Sequence, residues 1–316
     1  MTSVCIFDTG VASENLGDKI IMDAVNKEIS KIFPDMMHLN IQTHDRIGGP
    51  SRRINSVSKY SFVGGTNLLS SNVLRYRQWK LSFMDAFALK NVVLMGVGWW
   101  QYQKTPDLYT KVFLRKLLDN EFIHSVRDTY SLEMLAAAGI KNVVNTGCPT
   151  MWSLDARHCS EIPSTKQSSV VFTLTDYNKS IQLDSMLVDS LVGNYSQVYF
   201  WPQGTGDIEY YNTYFKRDCI EVLGPNLSSL DDVLDAGHID YVGTRLHAGI
   251  RALQKKRRSV IIGIDNRAKE KSRDFGLKVV DRDHIEGLAN VISSNWKTAI
   301  RLNSDEIRKW KEQFRV

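Results

Sequence analysis

The sequence predicts an α/β protein made of two doubly wound domains with parallel sheets. Short apolar runs alternate with longer helical patterns along all 316 residues, and the alternation starts again after a polar stretch near the middle. Such alternation is typical of parallel sheets, because each crossover between parallel strands needs a helix. At ~150 residues per domain, the length also suggests two domains.

The predicted domain boundary follows the polar segment DARHCSEIPSTKQSS at residues 155–169, which is the candidate linker. We therefore predict an N-terminal domain at residues 1–160 and a C-terminal domain at residues 161–316. The predicted strands lie at residues 4–7, 60–63, 92–95, 122–126, 143–145, 170–174, 197–201, 219–222, 241–243, 259–264 and 278–280. The predicted helices lie at residues 17–33, 74–88, 106–118, 129–138, 184–192, 229–236, 245–254, 269–275 and 284–293.

Composition narrows the class of protein. The chain has 40 basic and 35 acidic residues, a mild excess that favours small anions and does not demand nucleic acid. The four cysteines form no CxxC pair, so we predict reduced thiols in a cytoplasmic protein and no metal site. We see no signal peptide, and no apolar run approaches the ~20 residues of a membrane span.

The last segment, residues 305–316, has a helical stripe of Ile307, Trp310 and Phe314 flanked by basic residues. We predict that this helix docks on the protein. The alternative is an interfacial helix that gives peripheral contact with a membrane.

Several loops that follow predicted strands carry candidate ligand contacts, because ligands of open parallel sheets bind beyond the carboxyl ends of the strands. The NLGD motif at residues 15–18 opens the first helix, where Asn15 could face an anion or only cap the helix. The pair Gly64-Gly65 allows either close ligand approach or a tight turn. Gln203, after another strand, could bind a hydroxyl or serve the turn.

Two adjacent tryptophans, Trp99 and Trp100, follow the strand at residues 92–95. We expect one of them to be partly exposed, so that its flat face could stack on a sugar ring. The alternative is that one packs in the core while the other covers a gap.

Two arginines follow strands in the two predicted domains. Arg127 precedes Asp128, and its planar fork suits a carboxylate or phosphate, although a structural Arg–Asp pair is the alternative. Arg245 and His247 lie where a strand gives way to a helix. Arg245 can hold an anion, and His247 can serve as general acid and base, because an imidazole group ordinarily titrates near neutral pH. We therefore predict Arg245 and His247 as catalytic residues.

These motifs, in this order, resemble the polysaccharide pyruvyl transferase family. The matching elements are Asn15-x-Gly17-Asp18, Gly64-Gly65, Gly96-x-Gly98, Val126-Arg127-Asp128-x-x-Ser131 with Gly139-Ile140 behind it, and Arg245-Leu246-His247-Ala248. The resemblance spans roughly residues 4–280. Departures from the usual family pattern include Cys148-Pro149 in place of Asp-Pro.

The resemblance implies two Rossmann-like domains that face each other across a cleft, as in the GT-B glycosyltransferases. It implies transfer of the enolpyruvyl group of phosphoenolpyruvate onto two hydroxyls of a sugar, which makes a cyclic pyruvate ketal during surface or exopolysaccharide biosynthesis. Asn15, Arg127, Arg245, Leu246 and His247 would bind the donor, with Arg127 supplied by an N-terminal, acceptor-side domain.

The implied partners are phosphoenolpyruvate as co-substrate, without a further cofactor, and a sugar or lipid-linked oligosaccharide as acceptor. For the acceptor we predict contacts with Trp99, Trp100 and Gln203. The expected location is the cytoplasm, with peripheral contact at the inner face of the membrane as an option.

Two other functions fit the same fold class. A nucleotide-sugar glycosyltransferase of the same shape is disfavoured, because the stretch LHAGIRALQKKRRS after Arg245 contains no acidic residue to hold a ribose. A non-catalytic carbohydrate-binding protein is disfavoured by the presence of both Arg245 and His247.

Overall fold

The computed structural model describes residues 2–315. Its contacts group the chain into two compact units. Unit 1 contains residues up to 13, residues 21–152 and residues from 302 onward, and unit 2 contains residues 14–20 and 153–301. The predicted domains differ from this grouping in three places. Unit 2 begins at residue 153 and not at 161, it includes residues 14–20, and the residues from 302 onward belong to unit 1.

Unit 1 is built on parallel strands in the order β2-β1-β3-β4, with β5 and β6 forming a separate two-stranded parallel sheet. A single parallel bridge joins Val97, which follows β4, to Val126 at the end of β5, and so connects the two sheets. The strands are β1 Ser3–Asp8, β2 Met37–Gln42, β3 Tyr60–Gly64, β4 Val92–Met95, β5 His124–Val126 and β6 Val143–Asn145. The first six helices are α1 Leu16–Ile32, α2 Gly49–Val57, α3 Val73–Tyr76, α4 Phe83–Ala88, α5 Leu108–Leu117 and α6 Thr129–Ala137.

Unit 2 holds a six-stranded parallel sheet. Its strands are β7 Ser169–Thr173, β8 Gln197–Phe200, β9 Ile220–Val222, β10 Ile239–Gly243, β11 Ser259–Gly263 and β12 Val279–Asp281. Its helices are α7 Ala156–Ser160, α8 Ile181–Asn194, α9 Asp207–Tyr214, α10 Leu227–Ala236, α11 Leu246–Gln254, α12 Asn266–Phe275 and α13 Leu288–Ser293.

The strand order of unit 2 is β12-β11-β10-β7-β8-β9. The chain runs outward from β7 to one edge and then returns to the other side of β7 with β10. The order therefore reverses between β7 and β10, which is where open α/β sheets bind their ligands. Every residue of β10 is buried, as expected for a strand covered by helices on both faces of a parallel sheet.

The terminal helix α14, Ser304–Glu312, packs on the core of unit 1. Trp310 is fully buried, and its ring lies 5.7 Å from that of Phe62, while Phe314 lies 5.0 Å from Phe62. Docking of this segment is confirmed, and its apolar stripe is not available to a membrane. Our sequence analysis put the helix in the second domain, whereas aromatic packing holds it in unit 1.

Three local predictions need correction. Strand β2 was missed because it has no continuous apolar run: its sequence MHLNIQ alternates apolar and polar residues, as fits a half-exposed edge strand. The helix predicted at residues 74–88 is two helices, since Asn72 caps α3 and Ser82 starts a capping box at α4. The predicted linker contains α7, which Asp155 caps.

No helix within residues 2–315 combines the length and hydropathy needed to cross a bilayer.

Candidate functional site

The candidate site lies at the reversal point of the unit 2 sheet. Arg245 follows β10 at the N-cap position of α11. Its backbone N–H donates to Thr173 Oγ1 at 3.1 Å, and its carbonyl accepts from the Tyr241 hydroxyl at 2.7 Å. Because Thr173 ends β7, these bonds fix the arginine to both strands at the reversal point.

The Arg245 guanidinium is buried, with 3% exposure, and two aspartates bind it. Its Nε donates to Asp207 Oδ2 at 3.0 Å, and Nη2 donates to Asp207 Oδ1 as well. The same Nη2 donates to Asp176 Oδ1 at 2.9 Å. Burial opposes the charge, but Asp207 above all raises the pKa of Arg245, so the guanidinium stays protonated.

The two aspartates differ in exposure. Asp207 is fully buried at the start of α9 and also accepts the backbone N–H groups of Gln203, Gly204 and Asp176 at 3.1, 2.8 and 3.1 Å. The side chain of Asp176 is 35% exposed. Asp207 is thus a fixed part of the fold, whereas Asp176 is a solvent-accessible partner of a buried cation.

An aromatic side chain covers the same arginine. Tyr177 is 43% exposed, and the Arg245 guanidinium carbon lies 5.1 Å from the centre of its ring. Arg267 donates to the Tyr177 hydroxyl and to Asp265 Oδ2, the latter from Nε at 2.9 Å. A second cation therefore lies next to Arg245 within unit 2, with Tyr177 between them.

Asn15 and Gln203 belong to the same cluster, although 188 positions separate them in the chain. Gln203 Nε2 donates to Asn15 Oδ1 at 2.7 Å, and the Leu16 N–H donates to the Gln203 carbonyl at 2.9 Å. Asn15 Oδ1 also accepts from the Gly17 N–H at 3.0 Å, so the capping alternative describes part of its role. Within the described residues, the buried Gln203 Oε1 has no hydrogen-bond partner.

The structure thus brings together Asn15, Gln203 and Arg245, which the sequence presented as three separate motifs. Asp207 links them, because it binds both the Gln203 backbone and the Arg245 side chain. Leu246 and His247 form the first turn of α11 and are buried, with 4% and 6% exposure.

Arg127 occupies a separate site in unit 1, at the end of β5. Its Nε donates to Asp128 Oδ2 at 2.8 Å, Nη2 donates to the Trp99 carbonyl at 3.1 Å, and Nη1 donates to Asn67. Asp128 caps α6 by accepting the Ser131 N–H at 2.8 Å. Burial opposes ionisation of Asp128, but Arg127 and Ser131 outweigh it and hold its pKa below the usual range. The structural Arg–Asp pair therefore exists.

A comparison with family models matches residues 15–266 to the polysaccharide pyruvyl transferase family, a span that includes both arginine sites. The chain belongs to this family. The predicted resemblance is therefore confirmed over most of the chain, and the family supports a transferase. A sequence search among curated proteins gives no significant match.

Solved structures with similar folds include two that were determined with UDP bound. The UDP-GlcNAc 2-epimerase of Methanocaldococcus jannaschii, solved with UDP-GlcNAc and UDP, has a TM-score of 0.55 and 13% identity, with 96% of this chain and 95% of that chain covered. The S. aureus MnaA–UDP structure has a TM-score of 0.53 and 12% identity, with 99% and 97% covered. At these identities the likeness shows the fold alone, and it confirms the predicted GT-B-like α/β class.

Both glycines of the Gly64-Gly65 motif serve packing in unit 1. Gly65 has a φ of +58°, and a Cβ there would collide with Ile21 on α1. A Cβ at Gly64 would collide with Val25 on the same helix. At both positions the backbone lies close to a helix, so these glycines are explained by packing and not by the approach of a ligand.

Trp99 does not fit its predicted role in sugar stacking. It is fully buried, and its indole N–H lies 3.2 Å from Ser71 Oγ and 3.1 Å from Gln103 Oε1. It is a core residue and presents no face to a sugar. Trp100 is half-buried and contacts Tyr76 at 4.8 Å between ring centres, so it keeps the partial exposure expected of one member of the pair.

Sequence reasoning missed Asp176, Tyr177 and Asp207. All three lie in loops or helix starts after β7 and β8, where the rule about carboxyl ends of strands would have directed attention. No group of three or more His, Cys, Asp or Glu side chains in residues 2–315 is arranged to hold a metal ion.

Proposed function

We propose that this family member is a phosphoenolpyruvate-dependent ketal pyruvyltransferase of surface or exopolysaccharide biosynthesis. The observation that carries the proposal is Arg245, a buried cation at the sheet's reversal point with an exposed carboxylate on one of its nitrogens. Family membership supports the transfer of pyruvyl groups to polysaccharide.

Donor binding would proceed by exchange of anions on Arg245. The carboxylate or phosphate of phosphoenolpyruvate takes the place of Asp176 at Nη2, while Asp207 keeps the guanidinium in position. Displacing Asp176 should cost little, because its carboxylate is 35% exposed and ion pairs of accessible carboxylates contribute only about 0–1 kcal/mol. Asn15 and the first turn of α11, with Leu246 and His247, complete the donor site. The contact of Arg127 with the same donor stays a prediction.

The chemistry needs one proton donor and one acceptor. A proton is added to the methylene carbon of the donor, and a sugar hydroxyl attacks the cationic carbon beside it. A second hydroxyl then closes the ketal as phosphate leaves, and the two hydroxyl protons are released. His247 carries protons in these steps as general acid and base. Arg245 offsets negative charge of the donor, and the proposal includes no cofactor or metal.

The acceptor is a sugar or a lipid-linked oligosaccharide. Gln203 suits a hydroxyl donor, because its buried Oε1 lacks a partner within the described residues. Trp100 keeps an accessible part of its ring in unit 1. The proposed setting is the cytoplasm, at the inner face of the membrane.

Release of phosphate from phosphoenolpyruvate in the presence of candidate glycans tests the proposal. We expect His247→Ala to lower turnover by about 10²–10⁴-fold, the usual contribution of general acid–base catalysis, with a smaller change in donor affinity. Thr129→Ala is the matched control, because Thr129 also lies two residues after a strand-end arginine. Unchanged turnover in His247→Ala would remove this residue from the mechanism.

Titration of protein fluorescence distinguishes the rival functions. Quenching by phosphoenolpyruvate but not by a nucleotide sugar supports the pyruvyltransferase. Preference for the nucleotide sugar would favour the glycosyltransferase. Glycan binding without phosphate release would favour a non-catalytic carbohydrate-binding protein.

A further inference from the structure

A cavity of about 490 Å³ lies in unit 1, outside the sites described above. Residues of α2, α3, α4 and α5 line it, together with the loop after β2 and the loop between α3 and α4. Its apolar wall includes Trp79, Phe83, Tyr109 and Phe113, and the rings of Phe83 and Tyr109 lie 5.3 Å apart. Within the described residues, the buried indole N–H of Trp79 has no acceptor. One wall of the cavity is therefore apolar and contains a hydrogen-bond donor without a partner among the described residues.

Four cationic side chains line the same cavity: Arg46, Arg52, Arg77 and Lys80. One carboxylate accompanies them, that of Asp85, and Arg52 binds it at 2.8 Å. Arg46, Arg77 and Lys80 are exposed. The lining thus combines an apolar wall with an excess of positive charge at its edge.

The surrounding chain extends this charge pattern. Residues 46–118 contain twelve basic and two acidic residues, whereas the whole chain contains 40 and 35. The excess of basic residues in the protein therefore comes from this segment. Apolar side chains are exposed in the same helices: Leu74 at 55%, Met84 at 72% and Leu108 at 75%.

We propose that this cavity and the helices α3–α5 around it form a docking surface for a bilayer that contains anionic phospholipid. Exposed apolar side chains insert at the boundary between headgroups and acyl chains, and nearby cations attract the lipid phosphates. Arg77 and Lys80 bind a lipid phosphate at the cavity edge, and the aromatic wall contacts its apolar part. Exposed leucine and methionine favour lipid over nucleic acid, which offers no apolar phase to such side chains.

This surface replaces the one suggested by the sequence. The apolar stripe of α14 is buried in unit 1, so that helix has no apolar face for a membrane. The inference does not depend on pyruvyl transfer, because vesicle binding can be measured without any acceptor or donor.

Sedimentation of the full chain with vesicles tests the inference. We expect binding to phosphatidylcholine vesicles that contain ~30% phosphatidylglycerol, weaker binding at high salt, and little binding to pure phosphatidylcholine. Equal binding to both vesicles, or binding to neither, would overturn the proposal. So would displacement from the vesicles by an oligonucleotide at equal phosphate concentration.

Two matched double variants locate the surface. Arg77→Glu with Lys80→Glu should lower partitioning onto anionic vesicles by roughly 25-fold or more, since each cation near the surface contributes roughly fivefold. Arg308→Glu with Lys309→Glu makes the same charge change on α14 and should lower it much less. An equal loss in both variants would indicate a response to net charge alone and would contradict the proposed surface.

A third variant tests the apolar contribution. Leu74→Ser with Met84→Ser changes exposed positions that the core does not need, so the unfolding midpoint should stay unchanged while vesicle binding falls. Undiminished binding in this variant would show purely electrostatic adsorption and would refute docking by insertion.

Discussion

The two arginines that follow strands have similar surroundings but differ in the number of carboxylates that bind them. Arg127 in unit 1 and Arg245 in unit 2 are both buried, follow parallel strands and lie against a glycine, Gly98 and Gly204 respectively. Arg127 binds one carboxylate, a neutral amide and a backbone carbonyl. Arg245 binds two carboxylates, one of them a third exposed.

Under our proposal, this difference distinguishes a structural ion pair at Arg127 from a donor-binding site at Arg245. At Arg127, charges balance within the protein, and Asp128 is needed to cap α6. At Arg245, Asp207 alone would balance the charge, and Asp176 adds a second, accessible carboxylate. Removal of Asp176 by an incoming anion leaves the buried pair intact, whereas an anion at Arg127 would have to compete with groups that hold the fold.

The largest expected effect on stability is at the buried carboxylates. Asp207→Ala should lower the free energy of unfolding by about 3–5 kcal/mol, because it leaves Arg245 charged and buried, and Asp128→Ala should act similarly on Arg127. Asp176→Ala should cost less than about 1 kcal/mol. Guanidinium unfolding measures all three, and equal losses for Asp176→Ala and Asp207→Ala would erase the distinction.

Acid should act next, through unit 1. His124, on β5, accepts the Leu94 N–H at 3.2 Å and donates to the Asp119 carbonyl at 2.8 Å, and burial lowers its pKa to about 4. This folded-state pKa lies below the unfolded value of about 6.5. The stability that the neutral His124 contributes is therefore fully present above pH 6.5 and is lost as the pH falls toward 4. Between pH 7 and pH 5 the loss should be about 2 kcal/mol.

A variant isolates this histidine from other titrating groups. In His124→Gln, the loss of unfolding free energy between pH 7 and pH 5 should be smaller than in the unaltered protein by about 2 kcal/mol. An unchanged slope would show that His124 is not the group responsible.

Replacing the two glycines by alanine should separate the two arginine sites by a smaller difference in stability than the aspartate variants do. Gly98→Ala places a Cβ against Nε, Cζ and Cδ of Arg127, whereas Gly204→Ala meets mainly one terminal nitrogen of Arg245. We expect a loss of about 1–3 kcal/mol for Gly98→Ala and a smaller one for Gly204→Ala. Thermal unfolding of both variants checks the order, and the reverse order would mean that Arg245 is the more rigidly held side chain.

Most strands and helices could be predicted from the sequence, because each is marked by a pattern in its own residues. Buried parallel strands such as β4 and β11 contain continuous apolar runs, and the helix after Arg245 begins within one residue of the prediction. Strand β2 has no such run, since it is a half-exposed edge.

The partners of Arg245 were not readable in the same way. Asp176 and Asp207 reach it only because β7, β8 and β10 are neighbours in the sheet, and strand order is not a local property. Asn15 reaches Gln203 for a similar reason, through a contact between distant parts of the chain. Trp99 looked accessible because it follows a strand, but its buried hydrogen bonds to residues 71 and 103 carry no local signal.

The most direct test of the central claim is the affinity of the Asp176→Asn variant for phosphoenolpyruvate, measured by fluorescence titration at fixed ionic strength. If the donor displaces Asp176 from Arg245, the neutral variant should bind up to about fivefold more tightly, since the competing ion pair is removed. Asp189→Asn, at another exposed aspartate paired with Arg217, should bind like the unaltered protein. Weaker binding by Asp176→Asn would contradict the account.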